Sequence, residues 1–181
     1  MNEDSDGLLV RRCCNGDRQA FSALVVRYEK PIYNAALRML RNPEDARDVA
    51  QTVFLKAFEH LADYDPKYRF YSWIYRIALN ESINALNRRT RVDPIVGDEI
   101  DGNPGPEDVF GREQLIRGIE DALMSIKAEY RSVIVLKHLL DCSYSDMSEI
   151  LSVPEKTVKS RLFTARQLLK EALLDRGMHG S

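Results

Sequence analysis

The sequence predicts an all-α fold: two small helical domains joined by a flexible acidic linker, the C-terminal one a helix-turn-helix. Three observations predict it. Apolar residues recur at three- and four-residue intervals through most of the chain. Helix-start signals stand at Asp17, Asn42-Pro43 and Ser143. From Val92 to Pro106 the helical period stops, and Pro94, Gly97, Gly102, Pro104 and Gly105 alternate with acidic residues. The domains are therefore predicted at 1–91 and 107–181, with the linker at 92–106.

Composition bounds the function classes. With 30% charged and 44% hydrophobic residues over 181 positions, the chain reads as a folded globular protein. No apolar run approaches the roughly 20 residues that span a bilayer, so no membrane insertion is expected. The start Met1-Asn2-Glu3-Asp4 lacks the basic, then apolar, pattern of a secretion signal, and a cytoplasmic location is expected. Cys13, Cys14 and Cys142 form no CxxC pair, and His60, His138 and His179 are scattered. No metal site, cofactor loop or catalytic constellation is predicted. The formal net charge is -2, but Asp93, Asp98, Glu99, Asp101, Glu107 and Asp108 fall between Val92 and Phe110 without a cation among them. Without those six charges the remainder carries -2 + 6 = +4, which leaves room for basic, nucleic-acid-binding faces.

In the first half, Asp17 is placed to cap a helix bearing Phe21, Leu24, Val25 and Tyr28. Pro31 permits a break or kink before Ile32, Ala35, Ala36, Met39 and Leu40 resume the period. Asn42-Pro43-Glu44-Asp45 combines a cap, a first-turn proline and two carboxylates at the positive helix end. The helix that follows packs Ala46, Val49, Ala50, Val53, Ala57 and Leu61, leaving Asp45, Asp48, Gln51, Thr52 and Lys56 outside and Phe54 and Phe58 on the border. That outer face is either simply solvated or a docking face for a protein partner.

The next stretch concentrates rings and cations: Tyr64, Tyr68, Phe70, Tyr71, Trp73 and Tyr75 interleave with Lys67, Arg69 and Arg76, and Arg88, Arg89 and Arg91 follow. Rings offer flat faces to unstacked bases and guanidinium groups follow phosphates, a mixture suited to single-stranded nucleic acid. The plainer reading is also open, because Phe70, Trp73, Ile74, Ile77 and Ala78 form an apolar stripe at helical spacing. With Tyr68, Tyr71, Tyr75 and the arginines off that stripe, one face is predicted to pack and another to display aromatics and cations.

The second half predicts helices with apolar faces at Leu115, Ile119, Ala122 and Leu123, then at Val133, Leu136 and Leu140. Ser143-Tyr144-Ser145-Asp146 starts a short helix, and Ser152 and Glu155 have capping-box spacing ahead of a longer basic one. That last helix buries Val158, Leu162, Ala165 and Leu169 and exposes Lys156, Thr157, Lys159, Ser160, Arg161, Phe163, Thr164 and Arg166. A short helix, a tight turn and a basic second helix make a helix-turn-helix whose second helix enters a major groove.

Taken together, the halves resemble a bacterial RNA polymerase sigma factor of the extracytoplasmic-function type, across nearly the whole chain. The likeness is carried by Phe70-Tyr71-Ser72-Trp73-Ile74-Tyr75-Arg76-Ile77-Ala78-Leu79-Asn80 and by Thr157-Val158-Lys159-Ser160-Arg161-Leu162-Phe163, in that order, with the acidic segment between. The resemblance implies a non-catalytic initiation subunit that binds core RNA polymerase and directs it to promoters. It makes the first half region two, in which Asp48, Gln51 and Phe54, with Asp45 beside them, dock polymerase. Trp73, Asn80 and Asn84 then serve promoter opening and Tyr68 borders the pocket for an extruded base, so that with Phe70, Tyr71, Arg76 and Arg88 they form the minus-ten set. Region four follows, with Lys156, Thr157, Lys159, Ser160, Arg161, Phe163 and Thr164 toward the minus-thirty-five element. The implied partners are core polymerase, promoter DNA as duplex and as opened strand, and an anti-sigma factor.

Four positions depart from the family pattern: Thr52, Lys127, Lys156 and Thr164. Two other functions fit parts of the sequence. A helix-turn-helix regulator would bind duplex tightly without polymerase, and a small helical enzyme would act on oligonucleotides.

Overall fold

The computed structural model describes residues 3–92 and 107–177. Among the described residues there are eight α-helices and no strand. The first domain comprises α1 (Glu3–Cys14), α2 (Arg18–Leu40), α3 (Pro43–Glu59) and α4 (Phe70–Val92). The second comprises α5 (Glu107–Ser125), α6 (Ala128–Ile134), α7 (Tyr144–Leu151) and α8 (Glu155–Leu174). Of the linker expected at 92–106, Val92 closes α4 and the rest lies outside the described residues.

Local chemistry sets the helix ends. Asp17 accepts from the N–H groups of Gln19 and Ala20, and Asn42 from those of Glu44 and Asp45, so each occupies two donors that the first helical turn leaves unpaired. Ser143 and Asp146 form a reciprocal capping box at the head of α7. The box expected between Ser152 and Glu155 does not form. Ser152 instead ends α7 in the left-handed region, φ 53°, and Pro154 precedes α8 without a side-chain cap. A left-handed residue cannot also take the extended conformation of an N-cap.

Helix α2 is the centre of the first domain, packed on α1, α3 and α4. Pro31 does not break it: the helix runs from Arg18 to Leu40. Proline forfeits one N–H bond, but buried Tyr28, Ile32, Ala35 and Ala36 flank it and hold the helix by packing. From α3, Ala46, Val49, Val53 and Ala57 are buried as the period predicts. Asp6 of α1 is buried and accepts from Tyr28 and Arg27, tying α1 to α2.

In the second domain, Val133, Leu136, Met147, Ile150, Val158, Leu162 and Ala165 make the core. Leu115 and Ile119 were expected inside, yet they are 50% and 41% exposed, and only Ala122 and Leu123 of that face are buried. The neighbours of α5 cover only its C-terminal end. After Ile134 the helix widens into a π turn at Val135–Leu139, whose end is set by Leu140 N–H to Val135 O (3.2 Å) and Cys142 N–H to Leu136 O (3.0 Å).

The two domains pack on each other. Helix α4 lies against α7, and the C-terminal part of α2 meets α5, α6 and the π turn. Arg38 pairs with Glu120, Arg41 with Asp121, and Arg69 with Asp146 at 2.8 Å. Arg131 of α6 is buried and donates to backbone carbonyls at the end of α5 and to that of Met39 in α2.

Candidate nucleic-acid interface

Three surfaces carry the residues singled out from the sequence. On the first, α2 and α3 leave a groove of about 750 Å³ whose lining includes Phe21, Val25, Tyr33, Gln51, Phe54 and Phe58. Leu55 and Phe58 stand 64% and 57% exposed at this groove. Of the expected docking residues, Gln51 and Phe54 line it, Asp48 is exposed beside it, and Asp45 is turned to Arg89 of α4 at 3.3 Å. Tyr33 and Leu55 went unmarked in the sequence, although Phe54-Leu55-Phe58 is a second apolar stripe beside the packed one and signalled it.

Helix α4 forms the second surface. Tyr64, Phe70 and Trp73 meet with centroids 5.5 to 5.9 Å apart, and Phe70 also abuts Tyr28 at 5.6 Å. Phe70 is 2% exposed, which corrects its placement on a displayed face: it is the wedge that fixes Trp73 and Tyr64 on the core. Tyr68 precedes the helix at 46% exposure, and its carbonyl accepts from the Tyr64 hydroxyl. Further along, Asn80, Asn84 and Arg88 are exposed and spaced by four, so they share one row of the helix. Glu81, buried behind that row, takes Lys56 at 2.7 Å and Asn84 Nδ2 at 3.3 Å.

The face expected to show Tyr71, Tyr75 and Arg76 does not show them. Tyr75 is 1% exposed and stacks at a tilt on Tyr71, 4.6 Å away. The Tyr71 hydroxyl lies 2.9 Å from the Cys142 thiol of the second domain, and Arg76 donates to the Glu149 carbonyl. Burial raises the Tyr71 and Tyr75 hydroxyls above their ordinary range and pushes the Cys142 thiol up to about 11. Helical period alone divided α4 into a packed and an open face; docking of the second domain packs both over its first two turns.

The third surface is α8, held by the short turn after α7. Lys156, Lys159, Ser160 and Phe163 are exposed, and Thr157, Arg161 and Thr164 are half-buried around the same outer side. Lys159 sits 5.2 Å over the Tyr144 ring and 3.7 Å from Glu155. This outer side is polar and mostly basic, and the helix behind it is fixed by Val158, Leu162 and Ala165 in the core. Among the described residues no group of three or more His, Cys, Asp or Glu is placed to hold a metal, and no helix is long and apolar enough to cross a membrane.

Comparison with known proteins accounts for both halves. The Sigma-70 region 2 family matches residues 24–92 and the Sigma-70, region 4 family residues 116–169. The chain is 32% identical over 179 residues to the ECF RNA polymerase sigma factor SigW of Bacillus subtilis, covering 92% of this chain and 95% of that one. It is likewise 32% identical over 177 residues to the ECF RNA polymerase sigma-E factor of Escherichia coli K12, covering 91% and 92%. Its fold is similar to CnrH solved in complex with the cytosolic domain of CnrY, with a TM-score of 0.72, 28% identity, and 95% and 98% of the two chains covered. With two sigma regions in order, and relatives matched along nearly their whole length, the chain belongs to the extracytoplasmic-function family of RNA polymerase sigma factors.

Proposed function

We propose that this chain, a sigma factor that binds core RNA polymerase and directs initiation at chosen promoters, divides the work among its three surfaces. The groove between α2 and α3 docks polymerase through Gln51, Phe54 and the exposed Leu55 and Phe58, with Asp48 at its edge and Asp45 holding Arg89 behind it. Exposed apolar side chains in a groove rimmed by polar ones fit a protein partner.

On α4, Trp73 and Tyr68 present rings for unstacked bases, while Asn80, Asn84, Arg76 and Arg88 address base edges and phosphates of the opened minus-ten strand. Tyr71 joins this surface when α7 is withdrawn, and Phe70 supports it from the core. On α8, Lys156, Thr157, Lys159, Ser160, Arg161, Phe163 and Thr164 read the minus-thirty-five duplex in its major groove. Residues 1–91 then act as region two, 92–106 as connector and 107–181 as region four.

Magnitudes require polymerase as a partner in melting. Stacking contributes about 1 to 3 kcal/mol per captured base, whereas each opened step costs roughly 1.4 kcal/mol over on the order of ten pairs. The chain traps what the holoenzyme opens and is itself non-catalytic. Structures of CnrH with CnrY, and of the Bartonella quintana sigma factor RpoE with the anti-sigma factor NepR, are complexes of this kind of fold with a restraining protein. By that analogy the chain takes an anti-sigma partner and works in the cytoplasm.

The observation that carries this reading is the exposed Asn80–Asn84–Arg88 row continuing from the Trp73 cluster, in one chain with a basic helix-turn-helix. The test is binding to core polymerase followed by transcription from a promoter panel. Saturable binding with promoter-specific initiation is expected, and Trp73→Ala should lower open-complex formation on the order of tenfold while polymerase affinity stays within twofold. Equal losses in both would remove Trp73 from strand capture. Tight duplex binding with indifference to polymerase would favour the regulator reading.

A further inference from the structure

The contacts between the domains fall on one half of the α4 surface. Asp146 takes Arg69, the Glu149 carbonyl takes Arg76, and Cys142 sits on Tyr71. These are the cations and the ring that open onto the strand in the reading above, and a carboxylate and a carbonyl occupy donors that phosphate oxygens would otherwise take. Tyr75 is sealed beneath them. By contrast, the polymerase groove is lined by α2 and α3 alone, and the outer side of α8 stays open. The packing therefore masks strand capture selectively, leaving the other two surfaces available.

A second set of contacts, remote from any DNA-facing residue, holds the same arrangement. Arg38 and Arg41, at the end of α2, pair with Glu120 and Asp121 of α5. Arg41 makes its pair from the left-handed region, φ 53°.

We propose that the free chain is self-masked: its own region four covers the leading half of the α4 surface, and strand capture requires the domains to part. The proposal rests on the α4 reading above. Docking at the groove comes first, and the opened strand then competes with Asp146 and the Glu149 carbonyl for Arg69 and Arg76. A chain about nine-tenths closed binds strand about tenfold more weakly than an open one, because only the competent fraction binds.

The test uses the full chain with Cys13→Ser and Cys14→Ser, so that Cys142 is the remaining thiol. Its alkylation rate reports domain opening, since it is 2% exposed beneath Tyr71. Glu120→Arg with Asp121→Arg sets like charges against Arg38 and Arg41. This variant is expected to alkylate Cys142 about tenfold faster and to bind a fluorescent single-stranded A/T-rich oligonucleotide of about 16 residues correspondingly tighter. A second variant, Arg38→Cys with Glu120→Cys joined by a short bismaleimide after blocking Cys142, is expected to lose most of the strand binding shown by its uncoupled form. If the charge-reversed chain alkylates faster yet binds strand no better, or if cross-linking changes nothing, the masking is wrong. The α4 reading fails separately: Trp73→Ala placed in the charge-reversed chain would then bind the oligonucleotide as well as its parent.

Discussion

Arg131 donates from Nε to the Leu123 carbonyl at 3.0 Å and from Nη2 to those of Met124 and Ile126 at 2.8 and 3.1 Å, while Nη1 reaches Met39 in the other domain. The guanidinium thus closes the C-terminal end of α5, where carbonyls lack partners, and places a positive charge at that negative helix end. Burial lowers its pKa to about 10, so it remains charged at neutral pH. Lysine cannot replace a planar fork that serves four carbonyls. Arg131→Lys should cost about 2 to 3 kcal/mol in urea unfolding; a loss below about 0.5 kcal/mol would show the carbonyls finding other partners. Nothing in the sequence announces this role. Its partners are backbone carbonyls, which no pattern of side chains reveals, and the same holds for Arg76 on Glu149. Residues whose roles depend only on local periodicity, such as Val53, Leu162 and Ala165, were legible at once.

The helix starts at Asp17, Asn42 and Ser143 were readable because capping is chemistry between neighbours. Asn42→Ala should destabilise the first domain by about 1 kcal/mol, with Asn42→Asp close to neutral, read as a shift in the midpoint of urea unfolding. An unchanged midpoint would mean that Pro43 and the packing of Ala46 and Val49 define α3 without the cap. At Ser152 local spacing misled, because the same residue also ends α7 and only one of two conformations is available to it. Helix α1 had no announcement of its own: it holds Gly7, and among Leu8, Leu9 and Val10 only Val10 is buried. Its position comes from Asp6 meeting Arg27 and Tyr28, a contact across more than twenty residues. On α4, Asn80, Asn84 and Arg88 lie open as the resemblance implied, whereas Phe70 and Tyr71 became packed through elements distant in sequence.

At the scale of the whole molecule, two domains and a helix-turn-helix could be read from pattern, but their mutual packing could not, since it joins residues such as Tyr71 and Cys142 that share no local signal. That junction also sets a pH dependence. The Cys142 thiol ionises near 9.0 when exposed and at about 11 in the folded chain, chiefly through burial. Between those values the unfolded chain has released a proton that the folded one retains, so stability is whole below pH 9 and falls as pH rises toward 11. Cys142→Ala should remove a slope on the order of 1 kcal/mol per pH unit in that window, measured by chemical unfolding at pH 9, 10 and 11; parallel curves for both chains would place the alkaline weakness elsewhere. The π turn at Val135–Leu139 bears on the same junction through chain length. A π turn spends one residue more than an α-helix needs, and here the surplus is taken up just before Leu136 O receives Cys142 N–H. Deleting His138 would let the helix close regularly but would swing all that follows by about 100°, carrying Cys142 away from Tyr71. A single codon lost in the second domain would thus be felt on the first.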